Sequence, residues 1–437
     1  MKKLISILAL SISVSTAVAS VPTWFETDSA SAVKARTLRD FPHKLSDART
    51  LFPDLSQKDI DKYVKQKLIE TLVIDDTVRI HRKAKGNLPL LLEKPAGKWI
   101  CRGAAASDKR KDYVNDILKE SKGDGSLSNL RKVRIRFSIE VPYNDMFAGD
   151  TLSVWMPVPM KSVRQPEVKI ISASPTAIAI STPYRSVHNT MFFKAPVVEN
   201  DTAKFEYVAE YIVGAQYYSP EYILSHIKPY DKESVIYKKY TAAESPNIPR
   251  MTELASKIVG KETNPFKCSE LVYDYIIKNY PWAGAREYST IPCIPEYVIA
   301  EGHGDCGQVS LLYISLMRSL GIPARWESGW MLHPGEKNLH DWAEVYFEGV
   351  GWVPVDASFG RYLSADNSKA VNFYSTGMDF YRLAANLGVN GDFFPAKKHI
   401  RSETVDSQMG EVETGKANLF YPGWDMNMEI ISNQPLN

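Results

Sequence analysis

The sequence predicts an α+β fold in three consecutive parts, and three observations predict it. Between residues 131 and 218, apolar residues alternate with polar ones at a period of two. From about residue 245 the apolar period lengthens to the helical one. After the clearest helix, Gln308 to Leu320, the pattern returns to short strands at about 324–330, 341–347 and 352–356. Strands and helices that come in runs, instead of alternating, mark segregated layers and not a doubly wound parallel sheet. With 437 residues the chain can hold two to three domains and a sizeable core.

The elements follow in chain order. Residues 1–19 have the form of a secretory leader: Lys2-Lys3 gives a positive start, Leu4 to Val18 is apolar, and Ala17-Val18-Ala19 offers a small-x-small cleavage pattern. That run is short for a bilayer span, which needs ~20 apolar residues. No later segment is long and apolar enough, so the expectation is an exported protein with no membrane span after cleavage. Residues 20–130 read as mainly helical. Ser56 is placed to cap a helix whose apolar face is Ile60, Tyr63, Val64 and Leu68, and Val78–His81 reads as a short strand. Lys109-Arg110-Lys111 has acidic neighbours and reads as a solvated face.

Residues 131–218 read as an antiparallel β-sandwich-like domain. Val133, Ile135, Phe137, Ile139 and Val141 form one alternating run, and Leu152 to Val158 and Phe205 to Tyr211 form two more. The third part is taken as 219–437. Asn264-Pro265 opens a helix expected to run to about Asn279, and Gly302 closes a short helix begun near Pro295. In the helix from Gln308, the residues Val309, Leu312, Tyr313, Leu316, Met317 and Leu320 make the apolar stripe, and Gly321 and Pro323 stop it. Residues 361–437 carry no motif.

Composition excludes several functions. A formal net charge of +2 gives no reason to expect a nucleic-acid partner. Neither a phosphate-binding loop nor a dinucleotide fingerprint occurs, so no cofactor is expected. The four cysteines are Cys101, Cys268, Cys293 and Cys306; if one stays a thiol, at most one internal disulfide can form, and Cys268–Cys293 is a candidate pair. Cys306, His303 and Asp305 crowd together, but no zinc-ligand spacing completes a set, so no metal is expected.

The chemistry concentrates at Cys306, in Gly302-His303-Gly304-Asp305-Cys306-Gly307-Gln308, directly before the clearest helix. A free cysteine has a pKa of ~8.5 and needs help to ionise near neutrality. A helix N-terminus supplies unpaired N–H groups and partial positive charge. An imidazole supplies a proton acceptor. His340, in His340-Asp341-Trp342, is the best candidate, and Asp356, ending Trp352-Val353-Pro354-Val355-Asp356, can orient it. Taken singly, each residue has a bland reading; the ordered set favours a nucleophilic triad. His303 and His333 are rival bases, His333 in an exposed-looking loop. Asp305 tunes the thiol or shapes the turn. Trp330 on one side, and Trp282 and Tyr288 on the other, are candidates for lining a substrate cleft, with core packing as the plainer role.

Residues 265–360 resemble the transglutaminase-like superfamily. The resemblance rests on Gly304-Asp305-Cys306-Gly307, on Leu316 to Arg325 with its Gly321-Ile322-Pro323-Ala324-Arg325 ending, on His340 to Val345, and on Gly351 to Asp356. It implies a papain-like α+β core with Cys306 as nucleophile, His340 as base and Asp356 as orienting acid. The expected activity is that of a cysteine-dependent amide hydrolase or acyltransferase (peptidase, deamidase or transglutaminase) acting through a thioester on protein or peptide substrates. The alternative is an exported binding or scaffolding protein on the same fold.

Overall fold

The computed structural model describes residues 25–26, 29–92, 104–182, 185–243, 248–359 and 372–436. The expected leader at 1–19 and Cys101 lie outside the described residues. Helices and antiparallel sheets form an α+β architecture. Among the described residues no helix is long and apolar enough to cross a membrane.

The N-terminal part builds its own small core. Ser56 caps Gln57–Lys65 by accepting from the Asp59 backbone N–H at 3.1 Å. Ile60 packs with Phe52, Ile69, Ile80 and Leu88. The strand expected at Val78–His81 forms as Thr77–Ile80, and it lies between Thr71–Ile74 and His43–Lys44 in a three-stranded sheet. Those two partners carry too few residues to show a period.

The β region follows from its alternation. Val133, Ile135, Phe137, Ile139 and Val141 are all buried, one face of the long strand Asp124–Val141. This strand pairs with Ala203–Tyr218, placing Phe137 opposite Tyr207. A second sheet contains Thr151–Pro157 and Thr190–Pro196, and Val154 and Phe193 share one core with Phe137 and Tyr207. The expected boundary at 219 is crossed by the chain's end. Asp425–Pro435 pairs with Asp124–Val141, and Glu411–Glu413 pairs with Thr151–Pro157. Residues counted with the third part thus complete both sheets of the second. Each closes an edge that would otherwise leave a row of backbone N–H and C=O groups unpaired.

The third part positions the site. Asn264 caps Pro265–Asn279 by accepting from Phe266 and Lys267 backbone N–H groups. Ile294–Glu301 ends at Gly302 in the left-handed conformation, φ 73°. Cys306–Ser319 then lies across a four-stranded sheet ordered Gly351–Val355, Asn338–Phe347, Ala324–Met331, Arg382–Asn386. Side chains alternate across a strand. Ala343, Val345 and Phe347 therefore join Leu312, Tyr313 and Leu316 of the helix in one core. Trp342 faces the other way, among Phe359, Tyr374 and Met378. The same alternation sends Asp341 toward the helix and His340 away from it.

Candidate active site

Cys306 is the first residue of its helix, two residues ahead of the start that the apolar stripe indicates. Asp305 is the cap: its carboxylate accepts from the Gln308 backbone N–H at 3.1 Å, and the Gln308 side chain accepts from the Asp305 backbone N–H at 3.1 Å. This reciprocal box fixes the first turn and with it the sulfur. Its hydrogen bonds give Asp305 a turn-shaping role, and it also accepts from the Tyr288 hydroxyl.

His340 and Asp356 meet. The imidazole Nε2 lies 2.6 Å from Asp356 Oδ2, with both side chains buried. Their strands are neighbours, and Asp356 directly follows Gly351–Val355. Arg382, from the next strand but one, sits 3.1 Å from Asp356 Oδ2 and 3.3 Å from Asp379 Oδ2. Burial pushes His340 down to about 4, against the pull of Asp356. Burial works to raise the Asp356 carboxyl, but His340 and Arg382 outweigh it and hold it below its ordinary range. At neutral pH this is a neutral ring on a fixed carboxylate, an arrangement suited to accepting one proton.

The sulfur has a different polar neighbour. Cys306 Sγ donates to Asp341 Oδ2 at 3.4 Å, and among the described residues no hydrogen bond joins it to the His340 ring. The Asp341 Oδ1 accepts from Gln408 Nε2 at 2.6 Å. Burial pushes the thiol well up, and the Asp341 and Asp305 charges add to this. The structure therefore brings His340 and Asp356 together and gives Cys306 a carboxylate partner of its own. Asp341, Gln408 and Arg382 escape a reading of the sequence. Asp341 is adjacent to the motif histidine, and strand alternation alone would have pointed it at the helix. Gln408 gives no signal; Arg382 gives only that of a charge in a buried strand.

A cleft of about 830 Å³ opens at Cys306 and Asp341. Trp282 and Tyr288 are among the residues that line it. Trp282 is held there by a parallel bridge to Gly304, with Gly304 N–H bonded to Pro281 C=O at 3.0 Å. Trp330 is a correction. It faces the sandwich core, edge-on to Phe137, and its indole donates to Gln408 C=O. It pairs with Leu339, on the sheet face that carries Asp341, and is taken up there by the sandwich core instead of the cleft. His333 is a second correction: it is buried, 3.2 Å from Asp379 Oδ2, not exposed. His303 is buried too, edge-on to Tyr297. Cys268 and Cys293 are free thiols, so the candidate disulfide is absent; Cys268 is buried in the helix core.

The family model described as "Transglutaminase-like superfamily" matches residues 252–357, which hold the helix, the paired strands and all three motif residues. This stretch is a transglutaminase-like domain. An uncharacterized protein of Haemophilus influenzae is 32% identical over 133 residues, 24% of this chain and 35% of the relative. The uncharacterized protein YebA of Bacillus subtilis is 31% identical over 130 residues, 25% of this chain and 18% of the relative. The chain thus spans about a third or less of the length of these relatives. A crystal structure of a proposed cysteine protease from Cytophaga hutchinsonii superposes with a TM-score of 0.49 at 18% identity, covering 71% of this chain and 92% of that one. The periplasmic domain of TgpA from Pseudomonas aeruginosa gives 0.27 at 12% identity, covering 59% and 91%. At these scores neither speaks to activity.

Proposed function

We propose that the protein is an exported cysteine-dependent amide hydrolase or acyltransferase, with Cys306 as nucleophile, His340 as base and Asp356 as its orienting acid. The observation that carries this reading is the buried 2.6 Å His340–Asp356 pair, within the same transglutaminase-like domain that holds Cys306 at the start of a helix. The sulfur attacks an amide carbonyl carbon, and its proton passes to the imidazole. The Cys306 backbone N–H, one of the first-turn donors that have no partner within the helix, stabilises the developing oxyanion. The imidazolium returns its proton to the departing nitrogen, the C–N bond breaks, and a thioester remains. Water resolves the thioester in hydrolysis; an amine resolves it in transfer. Hydrolysis is favoured, because an exported protein meets water more readily than a positioned amine. The substrate is a protein or peptide, which an open cleft of about 830 Å³ can take as an extended segment.

One observation favours the second reading, a binding protein on the same fold: no hydrogen bond joins the sulfur to the His340 ring among the described residues. A single experiment separates the two. The wild type and Cys306→Ala are incubated with a peptide library and a small amine, and ammonia release, cleavage products and amine incorporation are followed together. The enzyme reading expects one of these products from the wild type and none above background from the variant. Identical traces from both would leave only the binding protein.

A further inference from the structure

We propose that Asp341 is the resting-state partner of the nucleophile, its carboxylate accepting the Cys306 S–H and keeping the sulfur protonated until substrate engages that carboxylate. This rests on the reading of Cys306 as the nucleophile and adds a positioning residue to it.

Four features of the structure support the proposal. The first is contact: Cys306 Sγ lies 3.4 Å from Asp341 Oδ2. The second is fixation. Gln408 Nε2 holds the other oxygen at 2.6 Å and is itself tied to Gly329 C=O at 2.9 Å and His340 C=O at 3.0 Å. A carboxylate clamped at one oxygen cannot turn the second away from the sulfur. The third is access. A Cβ on Gly307 would lie 2.6 Å from Asp341 Oδ2 and 2.3 Å from the Tyr288 hydroxyl, so the missing side chain is what admits the carboxylate to the helix start.

The fourth is charge. Asp305 from the turn before the helix, Asp406 from the C-terminal segment and Tyr288 from the cleft loop face this pair. Lys83 acts on Asp305 from the N-terminal part. His340 lies on the other face of its strand, where Asp356 and Arg382 hold it. The surroundings of the sulfur are therefore net acidic, which opposes a thiolate. Burial of the sulfur acts in the same direction, pushing Cys306 well up, while burial of Asp341 works against the charge on its carboxylate.

Cys306 and Asp341 both line the cleft, so a bound substrate meets both. An amide N–H that donates to Oδ2 takes the place of the S–H.

The test is the pH dependence of Cys306 alkylation by iodoacetamide in the full chain, mapped by peptide mass, without substrate. In the wild type, half-maximal reactivity is expected above the ~8.5 of an ordinary cysteine. In Asp341→Asn the amide keeps the shape, loses the charge and can donate to sulfur. Its midpoint is expected to fall by ~1 unit or more, giving at least ~10-fold faster alkylation at pH 7. Asp341→Ala, checked for folding by thermal melting, should move the same way. A wild-type midpoint near or below neutrality, or variants whose midpoint stays put or rises, would overturn the proposal. Alkylation needs no turnover, so its outcome is independent of the peptide assay. An inactive protein with the expected shift sinks the enzyme reading and leaves only the control of the Cys306 thiol by Asp341, and an active one without the shift sinks only this inference.

Discussion

At the scale of single residues, the site depends on which charges are allowed to stand uncompensated. Asp356 is fully buried yet held as an anion, because His340 at 2.6 Å and Arg382 at 3.1 Å both face it. Breaking a buried pair by removing one charge normally costs several kcal/mol, since the partner is left unpaired. Here Arg382 keeps Asp379 at 3.3 Å, so Asp356→Asn is expected to stay folded. The imidazole instead loses the group that fixes its ring and stabilises its charged form. Turnover of whatever peptide proves productive should fall by ~10²–10⁴-fold, measured as kcat with the melting temperature as the control. A variant that melts normally and turns over like the wild type would remove Asp356 from the mechanism. Cys306, His340 and Asp356 stood out in the sequence because each belongs to a motif in or beside an element whose period shows there. Asp341 was hidden in the same motif, since its part depends on the strand face it occupies and on Gln408, which lies far along the chain.

At the scale of elements, the helix Cys306–Ser319 shows local preference and site geometry pulling against each other. Glycine is a poorer helix former than alanine by ~1 kcal/mol, so on propensity alone Gly307→Ala would stabilise the first turn. At this position a Cβ would fall 2.3 Å from the Tyr288 hydroxyl and 2.6 Å from Asp341 Oδ2, distances that force both groups to move. Overpacking of this kind costs ~1–3 kcal/mol, more than the propensity gain. Gly307→Ala is therefore expected to lower the melting temperature, and an increase would show that Tyr288 and Asp341 yield freely. Helix ends were read well where a cap is written in the chain. Asn264 caps Pro265–Asn279 and Gly302 ends Ile294–Glu301 as expected. The start at Cys306 was missed by two residues, because the apolar stripe begins at Val309 while the cap is the acidic Asp305. Trp330 was misplaced for a related reason: an aromatic next to a motif does not say whether it lines a cleft or joins a neighbouring core, here that of the sandwich.

At the scale of the whole molecule, the parts are joined across seams that no local pattern announces. The chain's last strands complete sheets begun some three hundred residues earlier, and the N-terminal part forms one wall of the cleft. Arg82, Lys83 and Asn87 line it, with Asn87 and Gly284 exchanging bonds of 2.9 and 2.8 Å. Behind that wall lies Glu70, 6% exposed, facing Tyr297, Arg286 and Glu301 of the transglutaminase-like part. His81 stands 3.5 Å away, and burial keeps it neutral by pushing it down to about 3. Burial raises Glu70 from 4.5 to about 7, against the pull of Arg286. The sign follows directly. The folded-state value lies above the unfolded one, so the contribution of Glu70 is complete below about pH 4.5 and is lost as pH rises through about 7. Above that, folding carries a buried carboxylate across the seam. Glu70→Gln keeps the shape and removes the ionisation. It should stabilise the protein by about 1–3 kcal/mol at pH 8 and change little at pH 5. Melting curves of both proteins at the two pH values check this. A gain of equal size at both, or none at pH 8, would mean that the seam does not hold Glu70 away from water.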